Sequence, residues 1–250
     1  MKNIKIKTPV RPIRQAQGRQ AHHKKVAVFD IDGTVFRSSL LIELVETLIK
    51  NGVFSSNVRK EYYNEYERWL DRKGNYEKYI NAVIKAFDKN IKGVREKDLE
   101  SAVMKIISSR RNRLYRYTRN LITDLKKKDY YLLAISHSPM YIVGRFARKL
   151  GFDKVYGLLL ETDLKKHLTG KHIYKDLILD KAKILERAVE KENLTLEDSV
   201  GVGDTESDIP FLKMVDNPIC FNPNSALYKA AKKKKWQVTV ERKDVIYRDL

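Results

Sequence analysis

The chain has 250 residues, of which 42% are hydrophobic, which is enough for one sizeable core or a core with a smaller accessory domain. Its 51 Lys and Arg residues against 32 Asp and Glu give a formal net charge of +19, a field that attracts phosphates, nucleic acid or anionic membranes without choosing among them. A single cysteine excludes an internal disulfide, and no apolar run approaches the ~18 residues of a membrane span. We therefore expect a soluble, cytoplasmic protein.

The N-terminal residues 1–24 are expected to form a disordered basic tail. They are rich in Lys, Arg, Gln and Pro, contain no acidic residue and show neither helical nor strand periodicity. The apolar run Val26–Phe29 then predicts a strand of the kind that is buried on both faces in a parallel sheet.

Residues 37–110, called here the helical insert, show apolar positions spaced by three and four, which predicts helices alone. Strands and helices then alternate, with strands predicted at 130–135, 155–160, 200–202 and 218–221, a hairpin around Thr169-Gly170, and helices at 140–150, 179–191 and from about 207. The strand at 218–221 and a helix after it are expected to close the pattern. This organisation predicts an α/β fold, in which residues 25–36 and 111–250 form a Rossmann-like parallel-sheet core that carries the inserted all-helical domain.

Two carboxylates, Asp30 and Asp32, follow the first predicted strand in a turn that continues with Gly33 and Thr34. Ligands of parallel α/β sheets bind outside such strand ends. Paired carboxylates repel unless a cation or proton neutralises them, so the pattern favours a hard, oxygen-seeking metal over a turn chosen for backbone reasons alone.

Three later segments supply further candidates at strand ends or a helix start. Ser136 follows a predicted strand and could donate its hydroxyl to a phosphoryl oxygen, while His137 is as readily a loop histidine as a substrate contact. Ser138 before Pro139 is typical of a helix N-cap and first-turn pair. Lys181 or Lys183, near the start of a helix, could offset phosphate charge, although either could also be an ordinary surface lysine.

The last candidate is Gly203-Asp204-Thr205-Glu206-Ser207-Asp208, which leaves another short apolar strand. Asp204 and Asp208 could complete a metal site, and the alternative is a helix-capping turn.

Taken together and in this order, these segments resemble the haloacid dehalogenase superfamily of phosphohydrolases, and within it the phosphoserine-phosphatase-like subfamily with a helical domain inserted after the first motif. The resemblance covers about residues 25–240 and rests on Asp30-Ile-Asp-Gly-Thr-Val, Ser136, Lys181 and Gly203-Asp204-xxx-Asp208. It implies a phosphatase in which Asp30 attacks phosphorus to give an aspartyl-phosphate, while Asp32 protonates the leaving oxygen and later activates water.

The resemblance also implies the ligands of the metal and of the phosphate. Mg²⁺ would be held by the Asp30 carboxylate, the Asp32 backbone carbonyl and Asp204, with Asp208 orienting the metal shell. Phosphate binding would fall to four residues, Thr34 in a supporting role, Ser136, His137 and Lys181. The helical insert would close over the site and select a small phosphorylated substrate.

The chain departs from phosphoserine phosphatases in three places. Those enzymes have an acid shortly after the first motif, where this chain has Arg37-Ser38-Ser39-Leu40, and a substrate-binding arginine that aligns here with Asn81–Val83. Their second motif continues with glycine, where this chain has His137. Aromatic residues of the insert such as Tyr62, Tyr66 and Trp69 are expected mainly to pack its core. The substrate is therefore left open.

The same sequence features leave other functions open. The basic tail and the insert could bind nucleic acid or an anionic surface without sequence preference, with the phosphatase core secondary. A phosphorylation-receiver module is disfavoured by the length, by Asp32 and by the insert. Phosphoryl transfer to an acceptor other than water, phosphonatase chemistry and dehalogenase chemistry remain alternatives within the same fold.

Overall fold

The structure is a computed structural model that describes residues 23–248. Almost all of the predicted basic tail therefore lies outside the described residues. Lys24, which the prediction assigned to the tail, instead begins the first strand and pairs with Asp129 (2.6 Å).

Eight strands and ten α-helices make up the described chain. The strands are β1 (Lys24–Phe29), β2 (Tyr131–Pro139), β3 (Lys154–Thr162), β4 (Leu168–Ile173), β5 (Leu194–Gly203), β6 (Asn217–Phe221), β7 (Gln237–Arg242) and β8 (Val245–Arg248). The helices are α1 (Leu40–Lys50), α2 (Lys60–Leu70), α3 (Tyr76–Asn90), α4 (Glu96–Arg110), α5 (Arg116–Lys127), α6 (Met140–Lys149), α7 (Lys175–Leu179), α8 (Lys181–Lys191), α9 (Ile209–Leu212) and α10 (Ser225–Lys234).

All eight strands belong to one sheet in the order β4-β3-β2-β1-β5-β6-β7-β8. The six inner strands β3, β2, β1, β5, β6 and β7 are parallel to one another, and the two edge strands, β4 and β8, run antiparallel to β3 and β7. The carboxyl ends of β1, β2 and β5 consequently meet at one edge of the sheet. The predicted α/β class with a mostly parallel sheet is confirmed.

The central strand β1 is buried on both faces. Val26 and Val28 pack into one hydrophobic core, while Ala27 and Phe29 pack into the other, as the two-residue repeat of a strand requires. Helices therefore cover both faces of the sheet, which explains why the sequence of β1 is an unbroken apolar run rather than an alternating one.

The helical insert contains α1–α4 and leaves and re-enters the sheet region through adjacent backbone segments. Arg37 N–H donates to the Arg113 carbonyl (2.9 Å), and Tyr115 N–H donates to the Val35 carbonyl (3.1 Å). These paired segments place the insert over the carboxyl end of β1.

A second attachment joins the insert to the β3–β4 hairpin. Gly93 N–H donates to the Leu168 carbonyl and Leu168 N–H donates to the Val94 carbonyl, both at 2.8 Å. Glu96 N–H donates to the Lys166 carbonyl, also at 2.8 Å. The connection between α3 and α4 is thus held by backbone hydrogen bonds to the edge of the sheet.

Four local predictions were wrong in position or incomplete. The β3–β4 turn lies at Asp163–His167, and Thr169-Gly170 lies inside β4. The helix predicted at 179–191 is divided at Asp180 into α7 and α8, and α6 begins at Met140 with Pro139 rather than Ser138 as its N-cap residue. The two C-terminal strands β7 and β8 were not separately predicted.

Two further expectations concern burial and hydropathy. Cys220 is a buried free thiol in β6, as its apolar surroundings predicted. Within residues 23–248, no helix has both the length and the apolar character needed to cross a bilayer.

Candidate active site

Asp30 is the first residue after β1, where its backbone N–H continues the ladder by donating to the Val202 carbonyl of β5 (2.9 Å). The chain then turns sharply, since Val35 N–H and Phe36 N–H both donate to the Ile31 carbonyl at 2.9 Å. This turn fixes a buried carboxylate, 5% exposed, at the edge where the strand ends converge.

The turn depends on the absence of a side chain at Gly33. Its φ of +81° lies in the left-handed region, and a Cβ built there would lie 2.1 Å from Oδ2 of Asp204. The missing side chain therefore allows the turn after β1 and the segment after β5 to approach each other.

Lys181, the first residue of α8, is 2% exposed and lies between two acidic side chains. Its Nζ is 2.6 Å from Oδ1 of Asp30 and 2.5 Å from Oδ1 of Asp208. Burial lowers the pKa of Lys181, but the carboxylates of Asp208 and Asp30 outweigh it and raise the pKa above its ordinary value. The lysine is thus charged and ties the ends of β1 and β5 together. Lys183, the alternative candidate, is exposed and pairs with Asp180 instead.

Asp208 organises the segment after β5. Its Oδ2 accepts from the backbone N–H groups of Asp204 (2.9 Å) and Thr205 (3.0 Å), while its Oδ1 accepts from Lys181. Thr34 Oγ1 donates to Oδ1 of Asp204 at 3.2 Å. Both oxygens of Asp208 are therefore engaged by protein donors, and Asp204 is oriented from two sides.

The residues Asp30, Asp204 and Asp208 offer carboxylate oxygens that lie within 4.8 Å of one another. Burial raises the pKa of Asp30 to about 7, with the charges of Asp208 and Asp32 adding to the effect and Lys181 opposing it. Burial also raises the pKa of Asp204, and Asp30 adds to this shift. Oδ2 of Asp30 is buried and has no hydrogen-bond partner among the described residues. Crowded carboxylates and an unpartnered buried oxygen fit a hard divalent cation.

Asp32 is held apart from that cluster. Its Oδ1 accepts from Leu40 N–H (2.5 Å) at the start of α1, and its Oδ2 accepts from Ser136 Oγ (2.6 Å), which lies inside β2. Ser136 Oγ in turn accepts from Ser138 N–H (2.9 Å). The Asp32 side chain is thus fixed in orientation by the insert and by the neighbouring strand, while its carboxylate faces the cavity.

His137 follows Ser136 inside β2. Burial and the charge of Lys181 lower the pKa of His137 to about 4, despite its hydrogen bond to the backbone of Ile178. Its Nε2 is buried without a hydrogen-bond partner among the described residues. At neutral pH the imidazole is therefore uncharged.

A cavity of about 550 Å³ separates these residues from the helical insert. Five of the predicted site residues line it, namely Asp30, Asp32, His137, Lys181 and Asp204. Three others, Thr34, Ser136 and Asp208, are fully buried behind its wall and contact the lining residues instead. All eight predicted residues are therefore brought together, in two layers.

The sequence analysis missed several residues of the lining. Asn224 donates through its backbone N–H to the Asp204 carbonyl (2.8 Å), and its side chain donates to Glu206. Tyr76 enters from the insert, and burial together with Asp32 and Asp204 raises the pKa of Tyr76, so its phenol stays protonated. Asn224 lies within residues 25–240, which the resemblance covers, whereas nothing local in the sequence distinguishes Tyr76 from the other tyrosines of the insert.

Comparisons with known proteins agree with this geometry. The chain is 26% identical over 207 residues to a phosphoserine phosphatase of Archaeoglobus fulgidus, covering 82% of this chain but 54% of that relative, so it spans about half of that protein's length. It is 23% identical over 225 residues to a histidinol-phosphatase of Neisseria meningitidis, covering 86% of this chain and 98% of the relative. A substrate-bound phosphoserine phosphatase structure superposes with a TM-score of 0.61 at 25% identity, covering 88% of this chain and 94% of the other.

The family model described as haloacid dehalogenase-like hydrolase matches residues 27–213. This range begins within β1 and ends just after α9, so it includes Asp30, Lys181 and Asp208 together with the insert. It covers the larger part of the chain. The resemblance inferred from the sequence is confirmed, and the protein belongs to the haloacid dehalogenase-like hydrolase family.

Proposed function

We propose that this protein is a divalent-metal-dependent phosphatase that hydrolyses a small phosphomonoester through an aspartyl-phosphate on Asp30. The observation that carries the proposal is the buried Asp30 carboxylate, which is fixed by Lys181 through Oδ1 while Oδ2 has no hydrogen-bond partner among the described residues. A buried carboxylate with one restrained and one unengaged oxygen is suited to nucleophilic attack. Membership of a hydrolase family and relatives named as phosphatases support the same reaction.

The first half-reaction forms a bond between an Asp30 oxygen and phosphorus and breaks the bond from phosphorus to the substrate's ester oxygen. Asp32 gives its proton to that leaving oxygen, and the alcohol departs. In the second half-reaction Asp32 takes a proton from water, which attacks phosphorus and releases inorganic phosphate from Asp30. Ser136 and Leu40 N–H hold the Asp32 side chain for both proton transfers.

Charge on the phosphoryl group is met by Lys181 and by the proposed metal ion. Asp30 and Asp204 would hold the ion, with the Asp32 backbone carbonyl as a further ligand, and Asp208 would keep Asp204 and Lys181 in place. Mg²⁺ fits this all-oxygen donor set and would offset the charge of the transferring phosphoryl group. His137 is uncharged and therefore adds no charge beside the phosphoryl group.

Hydrolysis of a generic alkyl phosphomonoester, measured with Mg²⁺, with EDTA and with Asp30→Asn, tests the proposal. We expect activity that requires Mg²⁺ and falls at least roughly a thousandfold in the variant. Asp176→Asn, at an exposed position of α7, is the matched control and should retain activity. Acid quenching during turnover should leave phosphate covalently attached to the wild-type protein and not to Asp30→Asn. Undiminished hydrolysis by Asp30→Asn would refute the assignment of the nucleophile.

The alternative of nucleic-acid or anionic-surface binding rests mainly on the basic residues of the tail, and residues 1–22 lie outside the described part of the chain. No contact among residues 23–248 favours it. The family match and the carboxylate cluster make the phosphatase the better-supported function.

A further inference from the structure

The cavity extends well beyond the space that a phosphoryl group needs. At about 550 Å³ it lies between the carboxylate cluster and the side of the insert formed by α2 and α3. The phosphoryl group must bind beside Asp30 and Lys181. The rest of the cavity, on the insert side, therefore receives the organic part of the substrate.

Helix α3 presents a second apolar face to this space. Tyr76, Ile80 and Ile84 are four residues apart, share one face of the helix and line the cavity. A different face, carrying Tyr79, Val83, Ala86 and Phe87, is buried in the core of the insert. A surface helix needs only one apolar stripe to pack against its own protein. Ile80 belongs to neither hydrophobic core of residues 23–248, so protein packing does not explain why this position is apolar.

An aromatic cluster fixes the adjoining part of the wall. Trp69, at the end of α2, stacks on Tyr79 with ring centroids 5.6 Å apart and meets Tyr76 edge to face, also at 5.6 Å. Trp69 lines the cavity, as does Leu41 of α1. The wall is thus a packed aromatic and aliphatic surface.

The charged side chains of this lining provide little for a second anion. On the insert side, the lining carries one acid, Glu77, and one cation, Arg72. On the core side, Asp32 and Glu206 add to the negative charge of the carboxylate cluster. Lys181 is already bound to Asp30 and Asp208. The insert wall therefore offers no net positive charge to a substrate with an anionic group besides its phosphate.

We infer that the substrate is a phosphomonoester of an alcohol with an apolar or aromatic body and no second anionic group, and that this body lies on Trp69, Tyr76, Ile80 and Ile84. The inference rests on the phosphatase function proposed above and specifies its substrate class.

Three alkyl esters test this inference: 3-phenylpropyl phosphate, propyl phosphate and O-phosphoserine. The first two differ by the ring alone and have similar leaving alcohols, and the third carries a carboxylate. We expect kcat/KM for 3-phenylpropyl phosphate to exceed that for propyl phosphate by roughly tenfold or more, because the ring is removed from water on binding. O-phosphoserine should be no better than propyl phosphate. Ile80→Asn should bring the ratio of the first two esters towards one, while Leu70→Asn, on an exposed part of α2 outside the cavity, should leave it unchanged.

A binding measurement separates this inference from the proposed function. The chain has two tryptophans, so Asp30→Asn combined with Trp236→Phe leaves Trp69 as the sole indole fluorophore. With Mg²⁺ present, binding of 3-phenylpropyl phosphate should change the fluorescence emission of Trp69. This ester should bind roughly tenfold tighter than propyl phosphate. Hydrolysis of both esters at equal kcat/KM would overturn the inference and leave the phosphatase intact. If no ester is hydrolysed, the proposed function fails, and equal binding of the two esters would then overturn the inference as well.

Discussion

At the scale of one residue, Lys181 balances the negative charges of the site. It is buried between Asp30 and Asp208, and its charge is needed wherever both carboxylates are ionised. Removing one partner from a buried ionic group is costly because the remaining charges have neither water nor a counter-ion.

We therefore expect Lys181→Met, in EDTA at neutral pH, to lower the free energy of unfolding by roughly 3–5 kcal/mol. Adding Asp30→Asn should restore part of that loss, since one uncompensated charge is then removed. Urea denaturation measures the free energy of unfolding of the wild type, of Lys181→Met and of the double variant. Lys183→Met, two residues along the same helix and exposed, is the control and should change stability little. Equal stability of Lys181→Met and Lys183→Met would contradict this account of the ion pairs.

His137 makes a second prediction, on pH dependence. Its folded-state pKa of about 4 lies below its ordinary value of 6.5, so the unfolded chain takes up a proton first as the pH falls. The resulting contribution to stability is complete above pH 6.5 and is lost as the pH falls from 6.5 through 4. Its full size is about 3 kcal/mol.

Urea denaturation of the wild-type protein and of His137→Gln at several pH values measures this contribution. The difference in the free energy of unfolding between the two proteins should change by up to about 3 kcal/mol between about pH 7.5 and pH 4. Parallel curves for the wild type and His137→Gln would exclude a buried, uncharged imidazole.

At the scale of elements, the turns after β1 and β5 are coupled through Gly33. Its Cβ position falls on Asp204, whereas Gly52, which also has a positive φ of +71°, has no atom within 4 Å of its Cβ position. Replacing either glycine by alanine lowers the free energy of unfolding by about 1 kcal/mol, because the left-handed conformation disfavours a side chain. Only Gly33→Ala must also displace the Asp204 carboxylate.

We expect Gly33→Ala to abolish Mg²⁺-dependent activity and Gly52→Ala to retain it, although both variants lose some stability. Thermal unfolding with and without Mg²⁺ provides an independent readout, since a bound ion stabilises the folded state. The Mg²⁺ stabilisation should disappear in Gly33→Ala and persist in Gly52→Ala. Retention of the Mg²⁺ effect in Gly33→Ala would argue against Asp204 as a ligand.

The elements that could be predicted from the sequence are those with strong local signals. The apolar runs of β1, β2, β5 and β6 marked the central strands, and the acidic turns after β1 and β5 marked where their ends meet. The edge strand β8 has no such signal, since three of its four residues are exposed and it follows charged residues. The β3–β4 turn was misplaced because Thr169-Gly170 is a stronger turn signal than Asp163–His167. In the structure the Asp163 side chain forms the turn by accepting from Lys165 N–H and His167 N–H, both at 2.9 Å.

The candidate site could be predicted in the same way and for the same reason. Asp30, Asp32, Asp204 and Asp208 stand in motifs whose spacing carries information. The contribution of the insert could not be predicted, because Tyr76 and Ile80 reach the cavity through the packing of α3 on its neighbours. Helical periodicity identifies α3 but does not state which of its two apolar faces meets the protein and which meets a ligand.

At the scale of the whole molecule, the insert is fastened to the core at two places. One is the pair of segments at residues 35–37 and 113–115, and the other is the β3–β4 hairpin on the connection between α3 and α4. A domain held at both places cannot rotate about the first as a free lid. We expect access to the cavity to come from movement of α2 and the start of α3, which the hairpin does not hold.

Glu96 allows the second attachment to be weakened selectively. It is the first residue of α4, where proline is tolerated because that N–H has no partner within the helix, and the N–H donates instead to the Lys166 carbonyl. Glu96→Pro removes this donor and the side chain, whereas Glu96→Ala removes only the side chain, with its bonds to Tyr141 and Lys166. The difference between the two variants isolates the backbone bond.

We expect Glu96→Pro to be about 1 kcal/mol less stable than Glu96→Ala and to exchange amide hydrogens faster at Gly93 and Leu168, while β1 and β5 stay protected in both. Hydrogen exchange followed by mass spectrometry measures this difference. If α4 is held by packing on α1 and α6 alone, the two variants will exchange alike, and the hairpin would then be a neighbour of the insert rather than its anchor. Faster exchange confined to this connection would mean that the insert is bound to the core at both ends of α4, so substrate entry depends on the α2–α3 tip.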